Sequence, residues 1–321
     1  MSEPPVRLYG GERSPHPPLT WVSKYGSITF NYSGLEFPDG GMNEAGLVFQ
    51  EMTLIESKYP ADDSRAAIFM VQWIQYILDT CATVEEVVQS AHIAVLDGWN
   101  WHFYAVDSSG SSAAVEFLDG EVVVHTGEAL RHPVLANSPY TQELKLLEEF
   151  EGFGGTTPID ADRQEIDGRF AKGASLLERY STAAEIPPMK YAWKTLDAMS
   201  PGTTQSAQVY DITHRRIEFR SSRAPTIRSV SLDAFDLGCD SPAMVLDLDL
   251  DLEGDVSGRF EPYTVVNNSR LASENLLLFS EHPELQAFLE GTGVRLESIV
   301  ARFVEYPGTT SCEVAEAGSE P

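Results

Sequence analysis

Three groups of residues in this chain have types and spacings that chemistry can use. Asn137, in "VLANSPYT", stands where a strand would end, so its amide can donate hydrogen bonds into a cleft. A donor so placed stabilises an oxyanion when the nucleophile lies about 3 Å away; the alternative is an Asn that satisfies its own turn backbone. Arg169, in "DGRFAKG", falls in the first turn of a helix, where the dipole disfavours a cation. It reads either as a partner for an external carboxylate or as a surface Arg. Asp247, Asp249 and Asp251 have the 1-3-5 spacing of a calcium loop, but Leu252 stands where the loop needs Gly and no Glu follows at the twelfth position. The run "VLDLDLDL" therefore reads as an amphipathic strand with one solvated acidic face.

His102, His125 and His132 each lie in or beside strand-like segments without i, i+4 ligand spacing, and read as core or surface histidines. The cysteines, Cys81, Cys239 and Cys312, are odd in number and widely spaced, so reduced thiols are expected and neither a disulfide framework nor a zinc cluster is. No nucleophile elbow, phosphate loop or dinucleotide fingerprint is present. Nothing requires a metal or a cofactor.

These side chains must be carried by an ordered scaffold, and the composition supplies one. The chain of 321 residues is 42% hydrophobic and 10% aromatic, enough for a large core. A formal net charge of −27 repels phosphate backbones and anionic headgroups, so nucleic acid and membrane surfaces are not expected partners. No run of about 18 apolar residues occurs.

"TWVSKYGSITFNY" and "EAGLVFQEMTLI" read as strands joined by the Gly-Gly turn of "PDGGMN". A helix over "SRAAIFMVQWIQYILDTCA" is expected to be capped by Asp63 or Ser64, and Thr83 with Glu86 has capping-box spacing before the next helix. "WHFYAVD", "SAAVEFL" and "EVVVHT" read as strands with "SSG" and "DG" turns, and "RHPVLANSPY" as the end of a further strand. The segments "TQELKLLEEF", "GRFAKGASLLERY" and "MKYAWKTLDAM" read as helices, and "SAQVYDITHRRIEFRS" as a hairpin. "SEHPELQAFLEG" reads as a short helix. Blocks of strands alternating with blocks of helices predict an α+β fold of antiparallel sheets sandwiched by helices. Residues 1–20 are expected to be irregular, 21–310 to form the domain, and 311–321 to be a disordered tail.

Seven segments in this order, "SKYGSITFNYSG", "PDGGMNEAGLVFQEM", "CATVEEV", "WHFYAVDSSGSSAAVEFLDG", "VLANSP", "DGRF" and "TTQSAQVYDITHRRIEFRS", resemble the choloylglycine hydrolase family of linear-amide hydrolases, which includes bile salt hydrolases and penicillin V acylases. The resemblance spans 21–222. It implies the four-layer αββα sandwich of the N-terminal nucleophile hydrolases, cleavage of the linear carbon–nitrogen bond of a small N-acyl amide, and no cofactor. In that family an exposed N-terminal Cys attacks the carbonyl with its own α-amino group as base, which titrates near ~7.7–8.0 and so accepts a proton at neutral pH. By motif, Asn137 becomes the oxyanion-side Asn, Arg169 the Arg beside the nucleophile, and Thr53 a substrate-pocket residue. The resemblance also admits a homo-oligomer.

The family's nucleophilic Cys and its Gly-Arg-Asn-x-Asp element are expected tens of residues before Trp21, and the chain as written does not contain them. Ser2 is a poor substitute, because the prolines of Glu3-Pro4-Pro5 do not fit a central strand. The expectation is therefore a chain lacking inner strands and its nucleophile, inactive as written; the alternative is an inactive homologue that binds a small molecule. Thr53 stands where bile salt hydrolases carry Asn and penicillin V acylases commonly Tyr, which leaves the substrate open. Any export signal would precede the missing Cys, so the compartment is open too.

Overall fold

The computed structural model describes residues 17, 19–32, 34–60, 65–98, 100–159, 166–180, 186–279 and 295–310. Its centre is a six-stranded antiparallel sheet in the order β1 (Ser27–Phe30), β2 (Gly40–Asn43), β3 (Val48–Thr53), β6 (Trp101–Val106), β7 (Ser112–Leu118) and β8 (Glu121–Thr126). Between β3 and β6 the chain adds a parallel pair, β4 (Ala67–Phe69) with β5 (Val95–Asp97), and the helices α1 (Met70–Thr80) and α2 (Val84–Ser90). After α3 (Tyr140–Leu147), α4 (Ile166–Tyr180) and α5 (Pro188–Met199) come β9 (Ser206–Asp211), β10 (Arg216–Ser221) and β11 (Arg228–Ser231). With β13 (Gly254–Asp255), which runs parallel to β11, these form a four-stranded sheet in the order β13-β11-β10-β9.

Alternation along the strands sorts the layers. Phe49, Phe103 and Phe117 face α1 and pack on Trp73, Ile74 and Ile77. On the opposite face Phe30, Met42 and Val48 meet Ile217, Phe219 and Val230 of the second sheet, while Tyr104 and Ala114 meet Phe170 and Ala174 of α4. The second sheet's outer face, at Ala207 and Val209, is covered by Trp193 of α5. The order helix, sheet, sheet, helix is the expected αββα sandwich. Pairing between adjacent strands is antiparallel throughout the first sheet, both across the short turns and between β3 and β6, which the long excursion through β4, α1, α2 and β5 joins.

Local sequence accounts for many of these elements. The β7–β8 turn places Asp119 at φ 55° and Gly120 at φ 84°, the left-handed pair that suits a two-residue hairpin. The expected capping box closes at α2, where Glu86 N–H donates to Thr83 Oγ1 at 3.2 Å and Thr83 N–H to Glu86 Oε2 at 3.1 Å.

Elsewhere the structure corrects the sequence reading. Gly40 and Gly41 are not a turn but strand β2, where a Cβ on Gly41 would stand 2.5 Å from the Ile28 carbonyl oxygen. Glycine is needed there for close strand approach, and the chain reverses after Asn43 with Gly46 at φ 83°. The helix expected from Ser64 begins only at Met70, without a side-chain cap; Asp63 and Ser64 lie outside the described residues. Its forepart is β4, which also accepts Leu19 N–H at the Ala67 carbonyl, 3.0 Å. Residues 131–139 form no strand. The Leu/Asp run is not a strand either: only Met244–Val245 (β12) pairs, with Glu261–Pro262 (β14), and the rest is a loop. Arg228, fully buried, donates to the carbonyls of Leu248 at 2.7 Å and Leu250 at 2.9 Å, so the loop's backbone is satisfied by a side chain instead of a ladder. Two of the three acids are taken up by cations, Asp247 by Arg270 at 2.8 Å and Asp249 by Arg223 at 3.0 Å.

Two further helices, α6 (Val265–Phe279) and α7 (Leu296–Glu305), pack together, and Phe303 stacks edge-on against Phe37. The helix expected in "SEHPELQAFLEG" and the tail 311–321 lie outside the described residues. Among the described residues no helix is long and apolar enough to cross a membrane.

Asn43 shows how the β2–β3 turn is held. Fully buried, it donates through Nδ2 to the Leu78 and Cys81 carbonyls at 2.8 Å each and accepts at Oδ1 from Ala45 N–H at 3.1 Å and Leu47 N–H at 2.9 Å. One side chain thus ties the turn to the end of α1. Replacing Asn43 with Ala is expected to cost on the order of 1–3 kcal/mol per group left unpaired, measured by urea unfolding. A change below about 0.5 kcal/mol would show that water takes over these bonds.

Candidate active site

Asn137, Arg169 and Thr53, far apart in sequence, meet in one hydrogen-bonded chain. Arg169 Nη2 donates to Asn137 Oδ1 at 2.6 Å, and Asn137 Nδ2 donates to the Thr53 carbonyl oxygen at 2.8 Å. The first bond fixes which end of the amide is the acceptor, so Nδ2 is the donor end. That nitrogen carries two hydrogens, and Thr53 uses one of them. Arg169 is satisfied here by an amide oxygen, not by the carboxylate anticipated from its place in α4, and its buried Nε has no acceptor among the described residues.

Each partner is delivered by a different part of the chain. Thr53 ends β3, Arg169 stands near the start of α4, and Asn137 lies in the irregular segment between β8 and α3. Beneath that segment lies a buried polar cluster that sequence reading did not assemble. Glu116, fully buried, accepts from His102 Nδ1 at 3.1 Å, from His125 Nε2 at 3.0 Å and from Tyr140 N–H at 2.9 Å. Burial pushes the Glu116 carboxyl upward, but the bonds from His102, His125 and the Tyr140 backbone outweigh it and bring it down to about 2. His102 and His125 are indeed core histidines. The missed signal was one polar residue at an inward position on each of three consecutive strands, which alternation brings together on one face. His132 stands apart, half-buried, 3.8 Å from Glu178. Among the described residues no cluster of His, Cys, Asp or Glu is arranged to hold a metal ion.

Thr53 also lines a cavity of about 2240 Å³ between the β1 end of the first sheet, the β9–β10 end of the second and the segment from Phe235 to Glu274. Asn137 and Arg169 do not line it, but Asn137 is bonded to the carbonyl of Thr53, which does. The volume is more than twice the roughly 300–1,000 Å³ of an ordinary small-molecule pocket. Both strands at its rim, β1 and β9, are the last in their sheets among the described residues.

Asp39 and Glu51 face this cavity. Burial pushes Asp39 up to about 7, and burial together with the Asp39 charge pushes Glu51 up as well; Glu36, also at the rim, rises to about 7 through burial and Asp79. These groups bind protons more tightly in the folded than in the unfolded chain, so their contribution falls as pH rises from about 4 to 7. Glu116 has the opposite sign: its contribution is present above its ordinary 4.5 and is lost as pH falls toward about 2. Thermal melts are therefore expected to show greater stability at pH 5 than at pH 8, and the Asp39→Asn, Glu51→Gln double variant should flatten that slope. An unaltered slope would place the effect in the overall charge instead.

Neither described cysteine offers a nucleophile. Cys81 is buried at the end of α1, where burial pushes its thiol up. Cys239, expected to be reduced, is disulfide-bonded, and its partner lies outside the described residues. The wide sequence spacing hid that pairing, because a bridge depends on spatial proximity.

Residues 25–179 match the linear amide C-N hydrolases, choloylglycine hydrolase family. The chain is 31% identical over 188 residues to the penicillin V acylase of Pectobacterium atrosepticum, an alignment covering 53% of this chain and 49% of that protein. It thus spans about half the length of the curated relative it matches. Among solved structures, a penicillin V acylase from Agrobacterium tumefaciens superposes with a TM-score of 0.66 at 26% identity, over 76% of this chain and 83% of that one. A conjugated bile acid hydrolase from Clostridium perfringens, at 16% identity and TM-score 0.56 over 81% and 85% of the two chains, shares the fold.

Proposed function

From the premise that this chain belongs to the choloylglycine hydrolase family of linear amide C–N hydrolases, we propose that it serves in hydrolysis of the linear amide bond of a small N-acyl compound. Asn137 binds the scissile carbonyl, Arg169 holds Asn137 and lends positive charge beside the nucleophile, and Thr53 borders the acyl pocket. The observation that carries this reading is the bond chain from Arg169 through Asn137 to Thr53. It orients the amide with one N–H committed and one left for an incoming carbonyl oxygen, which becomes an oxyanion on attack.

The nucleophile in this reading is a thiol from outside the described residues. Cys81 is buried and Cys239 is bridged, so neither serves. An N-terminal Cys with its own α-amino base fits the requirement, and the cavity is large enough for both a strand carrying that Cys and an acyl group. The thiolate adds to the carbonyl carbon, the amine leaves with the proton held by the α-amino group, and water then releases the acid. Substrate classes to test first are penicillin V and conjugated bile acids, by analogy with the relatives, and N-acyl homoserine lactones.

A second reading is a homologue that binds such compounds without turning them over. The two separate in one experiment. The chain as given, and a form extended upstream to an in-frame Cys, are assayed for amine release and for binding by calorimetry. Turnover in the extended form supports hydrolysis; binding without turnover in both supports the second reading. Turnover by the chain as given that is lost in Ser2→Ala would move the nucleophile to Ser2.

A further inference from the structure

The segment that carries Asn137 is held at both ends by one buried carboxylate. At its far end Glu116 Oε1 accepts Tyr140 N–H at 2.9 Å. At its near end the same oxygen accepts His102 Nδ1 at 3.1 Å, and His102 Nε2 lies 2.7 Å from the Ala136 carbonyl oxygen. Both ring nitrogens of His102 therefore face oxygen acceptors, and Glu116 as a carboxylate has no proton to give. The arrangement requires N–H on both nitrogens.

We infer that His102 is a positioning residue for Asn137: as a buried imidazolium seated on Glu116, it grips the Ala136 carbonyl and so sets where the Asn137 amide stands. The energetics favour a geometric role. A buried ion pair is a poor source of stability, since apolar residues of similar volume often do as well. His102 and Glu116 are both fully buried, on the same face of the first sheet as the apolar-packed Tyr104 and Ala114, where such residues would fit. What an apolar pair cannot do is bond Ala136 O and Tyr140 N–H at once and fix the spacing between them. His125 braces the carboxylate from the other side and packs on the Tyr140 ring, 4.7 Å between centroids, and among the described residues it has no hydrogen bond to Ala136. Pro139, within the clamped segment, stiffens it further. With Arg169 and Thr53 holding the side chain itself, Asn137 is fixed through backbone and amide together.

This deepens the proposed function and rests on it only for the consequence in catalysis; the clamp itself is testable without turnover. In the unaltered chain labelled with 15N in its histidine rings, His102 is expected to show protons on both ring nitrogens, as the two oxygen acceptors require. In His102→Leu, solvent exchange of the Asn137 side-chain NH2 is expected to quicken roughly tenfold or more as the segment loosens. His102→Gln, which can still donate to Ala136 O, should restore most of the protection, and His125→Gln should change it less than about twofold. A bare Nε2 on His102, or unchanged Asn137 exchange in a folded His102→Leu, would overturn the inference. So would equal loosening in His125→Gln, which would mean a general loss of packing. Should His102→Leu fail to fold, the ring spectrum and His102→Gln decide. An absence of amide hydrolysis would overturn the proposed function and leave these results standing.

Discussion

Asn137→Ala is expected to lower kcat of the proposed amide hydrolysis by about 10²–10³, equivalent to about 2.7–4 kcal/mol of transition-state stabilisation. The size follows from when the second Nδ2 hydrogen is used. A neutral carbonyl accepts it weakly in the ground state, whereas the oxyanion formed on attack accepts it strongly, so kcat falls and KM moves little. Thr53→Ala provides the contrast. It leaves the backbone carbonyl that Asn137 bonds in place and removes only a side chain at the cavity rim, so its effect should fall on KM. Arg169→Lys should lie between the two, because a lysine keeps the charge and loses the planar donor that fixes Asn137 Oδ1 at 2.6 Å. An Asn137→Ala variant with unchanged kcat would remove Asn137 from the chemistry.

Phe103→Ala is expected to cost about 3–5 kcal/mol of folding stability, read from the urea midpoint at constant slope. Phe103 is fully buried at the centre of the first sheet. It stacks on Phe49 with ring centroids 5.4 Å apart and meets the edge of Trp73 at 4.8 Å and of Phe117 at 6.2 Å. Deleting the ring leaves three aromatic neighbours with a void that none can fill without abandoning another contact. Phe103→Leu keeps most of the volume and should lose well under half as much. A loss below about 1 kcal/mol for Phe103→Ala would mean that α1 collapses onto the sheet and closes the gap.

The sequence carried the fold where the governing forces are local. The short runs "WHFYAVD", "SAAVEFL" and "EVVVHT", set off by "SSG" and "DG" turns, mark β6, β7 and β8, and Asp119-Gly120 forms the β7–β8 turn, because strand and turn preferences follow from local sterics. Asn137 and Arg169 were visible as residues out of place in their segments. Their meeting was not, because it depends on the segment before α3 bridging the start of α4 and the end of β3 in space. Gly40 and Gly41 misled for a physical reason: glycine serves a turn and a tight strand approach equally well, and only the packing against Ile28 tells which. The Leu/Asp run misled for another. Its period of two suits a strand, yet Arg228 satisfies the carbonyls directly and two of the acids find Arg223 and Arg270, so no ladder forms. The Glu116 cluster was spelled out one residue per strand and became legible only through the register.

The most direct test of the central claim is amine release from a panel of N-acyl amides by the protein expressed from its full reading frame, with and without prior thiol alkylation under non-reducing, native conditions. Alkylation there spares the buried Cys81 and the bridged Cys239. The expected result is release of amine that alkylation abolishes and that Asn137→Ala reduces by about 10²–10³. Release unaffected by alkylation and by Asn137→Ala would contradict it.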